Sequence, residues 1–306
     1  MKKIIRWLIL GGTLFFLLKA LKDNWLGVSA IRINAIGWLI LTTATGITLV
    51  AHIWAGWIWT WVLKELNQSV SVIEFIQVYL KTNIAKYLPG NVWHYYGRIM
   101  AAKNANIPTN IATLSVLLEP LLMLAAALII IVLFGGKLVV NNLKFNLVIL
   151  QSLALIIVLG ILHPRFLNPA IQLLDKWKNK KSNGENELVN SFIIKCYPLK
   201  PLLGELVFLG LRASGFILTV LALNSLTWEQ IPLLVGAFSC AWVLGLVVPG
   251  APGGLGVFET TAILLLQYHF PAALVISAIA LYRLISILAE TIGASLAWLL
   301  SGAEKF

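Results

Sequence analysis

Charge, cysteine, histidine and aspartate are all scarce in this chain, and each scarcity removes a class of function. Cys196 and Cys240 are the only 2 cysteines, with no CxxC pair, so they read as small buried groups rather than a redox or metal centre. His52, His94, His163 and His269 are scattered without HExxH or comparable spacing, so no metal and no other cofactor is expected. Asp23 and Asp175 are the only aspartates, and Ser214 sits in no GxSxG elbow. A metal-dependent sugar transferase or a serine hydrolase therefore lacks its usual groups, and no catalytic constellation assembles. The GAPGGLG stretch at 250–256 fits neither GxGxxG nor GxxxxGK[ST] and follows a long apolar run, which excludes a nucleotide-driven motor on context.

What fills the chain is hydrocarbon. Apolar residues make up 59% of 306, charged residues 11%, with 12 tryptophans and a mean hydropathy of +0.90. The runs recur along the length and leave one strongly polar stretch, at about 174–190. The reading is a single integral membrane domain over 1–306, with that stretch as a cytoplasmic loop. The net charge of +11 suits basic loops facing an anionic leaflet rather than nucleic acid. The N-terminal basic and apolar segment has no small-residue cleavage site after it and reads as a retained first span over about 4–18.

Further apolar runs cover about 35–62, 111–134, 145–162, 203–224 and 271–300, each close to the roughly 20 residues a spanning helix needs. Trp54, Trp57, Trp59 and Trp61 read as an interfacial aromatic belt, and Glu205 as a residue at the interface end of its span. Two runs are interrupted. One, 71–85, meets Pro89-Gly90 and resumes over 91–103; the other, 231–248, meets Pro249-Gly250 and resumes over 257–268. The fold expected is all-α and polytopic, with six full spans, two re-entrant hairpins and both termini cytoplasmic. The hairpins would open to opposite sides, as in an inverted-repeat transporter; eight ordinary spans with two kinks is the alternative.

Lipid offers no partner to free peptide groups, so broken backbone at membrane depth must be buried in protein or line a hydrated cavity. The breaks are therefore the candidate site. Turns at Gly253, Gly254 and Gly256 expose backbone donors, and the helix starting near Val257 directs its N-terminus at an anion, with close helix packing as the plainer role. Ionisable side chains inside a membrane are costly unless paired or functional, which singles out Arg98, Glu119, Arg212, Glu259, Arg283 and Glu290. Tyr95 joins Arg98 beside the first break. Arginine is suited to phosphate by its planar fork of donors; a positive-inside anchor at Arg98 and interior salt bridges at Arg212 and Arg283 are the competing roles. Arg283 and Glu290 stand seven residues and about 10 Å apart, too far to be taken as a direct pair.

The segments KYLPGNVWHYYGR at 86–98, Glu119-Pro120, VVPGAPGGLGVFE at 247–259 and LYRLIS at 281–286, in this order, resemble the flippase-like membrane domain of lysylphosphatidylglycerol synthases and its stand-alone relatives. The resemblance covers about 5–300. It implies an inner-membrane translocase and places Pro89, Gly90, Arg98, Glu119, Pro249, Gly253, Gly254, Gly256, Glu259 and Arg283 at the site. The aminoacyl-transferase domain that accompanies some members does not lie within these residues, so lipid aminoacylation is not implied. The expected cargo is an anionic phospholipid or a polyprenyl-phosphate-linked lipid. A membrane scaffold for a lipid-modifying or glycoconjugate enzyme is the alternative, and a membrane glycosyltransferase the weaker one.

Overall fold

A computed structural model describes residues 19, 22–23, 25–88, 92–137, 144–169, 197–248 and 251–303. The expected first span, the polar loop at 174–190 and the helix-breaking residues Pro89, Gly90, Pro249 and Gly250 lie outside the described residues. Within them the chain is all-α. A short helix, α1 (Trp25–Ala30), precedes α2 (Ala35–Glu65), α3 (Val72–Asn83), α4 (Trp93–Asn104), α5 (Thr109–Phe134) and α6 (Lys144–Ile161). Then follow α7 (Leu199–Leu223), α8 (Gln230–Val247), α9 (Val257–Leu266) and α10 (Ala272–Ala303). Single 3₁₀ turns at Ile84–Tyr87 and Pro252–Gly254 lie within the two interruptions.

Among the described residues α2, α5, α7, α8 and α10 are long and apolar enough to cross a membrane. At 18 residues α8 reaches about 27 Å, whereas the 12-residue α3 reaches only about 18 Å. The second interrupted run thus starts with a helix of spanning length, and the first does not.

The elements form where the sequence supplies both apolar length and a start signal. Asn34 caps α2, its Oδ1 accepting from the Gly37 N–H at 2.7 Å, which satisfies one of the free donors of a helix start. The most extensive helix contact is α2 on α7, made through small residues. A Cβ at Gly215 would stand 2.7 Å from Thr48 Oγ1, and one at Gly204 2.9 Å from Ile58 Cγ1. In lipid, where apolar surface gains nothing by leaving its solvent, such close backbone approach and polar contacts hold helices together. Around this central pair the remaining helices exchange partners: α3 packs on α10, and α8 packs on α5.

Two expectations change at this level. Trp59 does not belong to an interfacial belt: it is wholly buried, and its indole N–H donates to Ser115 Oγ at 3.2 Å. Trp54, Trp57 and Trp61 do cluster, edge to face at 5.2–5.5 Å, with the Lys200 ammonium 4.6 Å from the Trp61 ring. Positions 54, 57 and 61 share one helix face, while 59 lies about 200° round from 57. Glu205, too, is packed inside the protein rather than on its surface. The helix starts four residues earlier than the apolar run suggests, so Glu205 lies in its second turn and is 0% exposed.

Candidate functional site

Both interruptions line one cavity of about 120 Å³. The 3₁₀ turn of the first interruption touches that of the second. Gly253 makes this contact feasible: its φ is +57°, and a Cβ there would meet Tyr87 Cε1 at 2.8 Å. Gly254, also at positive φ, lies against the Gly245 backbone of α8, drawing the turn onto the helix before it. Gly253 and Gly254 line the cavity.

Three ion pairs and one lone arginine build the polar wall. Arg98 on α4 donates to Glu119 Oε2 on α5 at 2.7 Å, both side chains 2% exposed. Tyr79 on α3 closes this group, its hydroxyl donating to Glu119 Oε1 at 2.7 Å while its ring lies 3.6 Å from the Arg98 guanidinium carbon. Across the cavity, Arg283 on α10 sets Nε and Nη2 each 2.5 Å from Glu259 Oε1 on α9. Its Nη1 donates to the Gly253 carbonyl at 3.2 Å. The third pair joins the first interruption to α10: Lys86 donates to Glu290 Oε1 at 2.6 Å, with His52 Nε2 at 3.2 Å from the same oxygen.

Arg212 on α7 is different. Its Nη1 donates to His52 Nε2 and its Nη2 to Ser286 Oγ, each at 3.2 Å. Its guanidinium carbon lies 5.0 Å from the Trp242 ring and 5.3 Å from the Tyr282 ring, in reach of both π faces. Among the described residues no carboxylate oxygen comes within 4.0 Å of it.

Of the residues singled out from the sequence, Tyr95, Arg98, Glu119, Arg212, Gly253, Gly254 and Arg283 line the cavity. Glu259 and Glu290 stand behind it, bonded to lining cations. Gly256 lies off the wall. The expected backbone anion site at α9 is already occupied by the chain itself: the Gly256 N–H donates to Glu259 Oε2 at 2.7 Å and the Gly254 N–H to the Ala251 carbonyl at 3.0 Å. Helix N-termini favour negative charge, and Glu259 supplies it.

Lys86, His52, Tyr79 and Ser286 belong to the site without having been assigned to it from the sequence. One signal was available for Ser286. Tyr282, Arg283, Ser286 and Glu290 recur at spacings of three and four, a polar stripe along one face of an otherwise apolar helix. Lys86, by contrast, meets a carboxylate 204 residues away, and no local pattern announces that pairing.

No curated protein matches the chain. A family model described as the lysylphosphatidylglycerol synthase TM region matches residues 4–293. With its apolar helices, its paired interruptions and the charged cavity between them, the chain belongs to the lysylphosphatidylglycerol synthase transmembrane-region family.

Proposed function

We propose that this protein moves an anionic phospholipid or lipid-linked phosphate between membrane leaflets without nucleotide hydrolysis. The observation that carries the reading is the convergence of both interruptions on one cavity lined by Lys86, Arg98, Arg212 and Arg283. A charged headgroup crosses hydrocarbon poorly because desolvation is costly; a path with fixed cations and polar backbone lowers that cost while the tails stay in lipid.

The moving parts in this reading are the second arms, α4 and α9. Each is tied to the long helix after it by an ion pair, Arg98–Glu119 and Glu259–Arg283. The exchange of packing partners, α3 on α10 and α8 on α5, supports an inverted repeat about the α2–α7 contact. In such a repeat the two arms open to opposite faces in turn. Six spans, hairpins of opposite orientation, cytoplasmic termini and the cell's inner membrane complete this reading.

Leaflet exchange in proteoliposomes tests it, using headgroup-labelled phospholipid and polyprenyl phosphate read by quenching from outside. The expected result is faster exchange of at least one of them, slowed at least tenfold by Glu259→Gln in a protein that remains folded. No acceleration for either lipid class, with a stoichiometric enzyme partner co-purifying, would replace translocation by a scaffold role.

A further inference from the structure

One nitrogen in the cavity wall has two incompatible neighbours. His52 Nε2 lies 3.2 Å from Arg212 Nη1 and 3.2 Å from Glu290 Oε1. Guanidinium only donates, and an ionised carboxylate only accepts. In the ring plane Nε2 carries either a lone pair or a hydrogen, so it serves Arg212 or Glu290 and never both. The other ring nitrogen does not fix the choice. Nδ1 faces the Asn83 side-chain amide at 3.4 Å, and an amide offers either an oxygen or an N–H.

A proton taken up at Nε2 settles the choice. The neutral ring, with its hydrogen on Nδ1, accepts from Arg212. The imidazolium carries a hydrogen on each nitrogen, so Nε2 then donates to Glu290 Oε1, which also accepts from Lys86 at 2.6 Å. Arg212 Nη1 loses its acceptor in that step. Its Nε has no partner to begin with, so the guanidinium is left with donors to spare in a cavity that it lines.

The charges facing His52 set the sense of the coupling. Glu290 on α10 favours a charge on the ring, while Arg212 on α7 and Lys86, on the same carboxylate oxygen, oppose it. From the other helices packed around α2, Glu119 on α5 is taken up by Arg98 and by Tyr79 of α3, and Tyr282 on α10 donates to the Arg212 carbonyl. An anion at Arg212 offsets the cation nearest the ring and replaces the acceptor that protonation removes. Anion and proton therefore favour each other, each raising the affinity for the other by the same factor.

We infer that His52 is a proton site coupled to the cargo: the cavity takes up one proton as an anion binds at Arg212 and returns it when the anion leaves. This rests on the reading that the cavity receives an anionic headgroup, and it adds a proton that travels with it. A pH difference across the membrane then biases the exchange.

Binding of a fluorescent long-chain sulfonate to the purified full chain in detergent, followed between about pH 5 and 8, tests this. The sulfonate keeps one negative charge throughout, so a pH slope reports the protein, and histidine is the side chain whose ordinary pKa lies in that window. Because the occupied state holds more protons, affinity should rise as pH falls, at least tenfold across the window. Folded His52→Gln, whose amide still accepts from Arg212, should bind with nearly constant affinity; a merely structural role would change affinity at every pH and keep the slope. His94 also lines the cavity, and His94→Gln should keep the slope. Should His52→Gln not fold, ¹⁵N spectra of the histidine-labelled unmodified chain read the proton directly: sulfonate added at constant pH should turn one neutral imidazole among the 4 histidines into imidazolium. A flat profile for the unmodified chain, or a slope that folded His52→Gln retains or His94→Gln loses, would overturn the coupling. So would spectra in which no histidine gains a proton, or no sulfonate binding at any pH. Translocation itself falls only on a flat leaflet-exchange result for every lipid class.

Discussion

The two interrupted segments solve one problem with opposite signs. In the first, the cation stands on the second arm and the carboxylate on the following long helix, as Arg98 and Glu119; in the second, the carboxylate stands on the arm and the cation on the helix, as Glu259 and Arg283. The pairs differ in depth. Arg98 and Glu119 are each 2% exposed, whereas Arg283 and Glu259 are 17% and 9% exposed. Both pairs border the cavity, the first through Arg98 and Glu119 and the second through Arg283, but the first is shut off from solvent more completely than the second.

The largest expected effect comes from breaking the first pair. Arg98→Ala leaves Glu119 buried with only the Tyr79 hydroxyl, and losing one partner of a buried pair costs roughly 3–5 kcal/mol. Unfolding in detergent should show that loss, and the reversed pair Arg98→Glu with Glu119→Arg should recover part of it. Arg283→Gln should cost less, roughly 1–3 kcal/mol, because Glu259 retains the Gly256 N–H and is partly exposed. Finding Arg283→Gln the more damaging would break the contrast in depth. Gly253→Ala forces an L side chain into φ +57° against Tyr87, at about 1–2 kcal/mol. Its readout is a lower unfolding temperature in detergent, partly restored when Tyr87→Leu removes the ring that the new methyl meets. Smallest is Trp59→Phe, which gives up the hydrogen bond to Ser115, one turn before Glu119, about 1 kcal/mol.

Much of this arrangement was legible in the sequence, for identifiable reasons. Helix bounds came within a few residues because apolar length and Pro-Gly interruptions are strong local signals in a membrane chain. Arg98, Glu119, Glu259 and Arg283 stood out because a charge in an apolar run demands a partner, though the actual pairing was not readable. Arg212 was legible as a site residue but not as the unmatched one, since that depends on where every other charge finds its partner. Tyr79 and His52 were missed because aromatic and histidine side chains in apolar runs are usually core. Trp59 was misplaced by treating four tryptophans as one belt, when helix periodicity separates it from the other three.

The central claim, that the two interruptions must part for a headgroup to pass, is tested most directly by tethering them. With Cys196 and Cys240 replaced by serine, Tyr87→Cys and Pro252→Cys place one thiol in each of the two touching 3₁₀ turns, and a short cleavable bis-thiol reagent joins them. Lipid exchange in proteoliposomes is then followed before linking, after linking and after cleavage. The account expects exchange to fall at least tenfold on linking and to return on cleavage. Exchange that continues at the unlinked rate with the tether intact would contradict it.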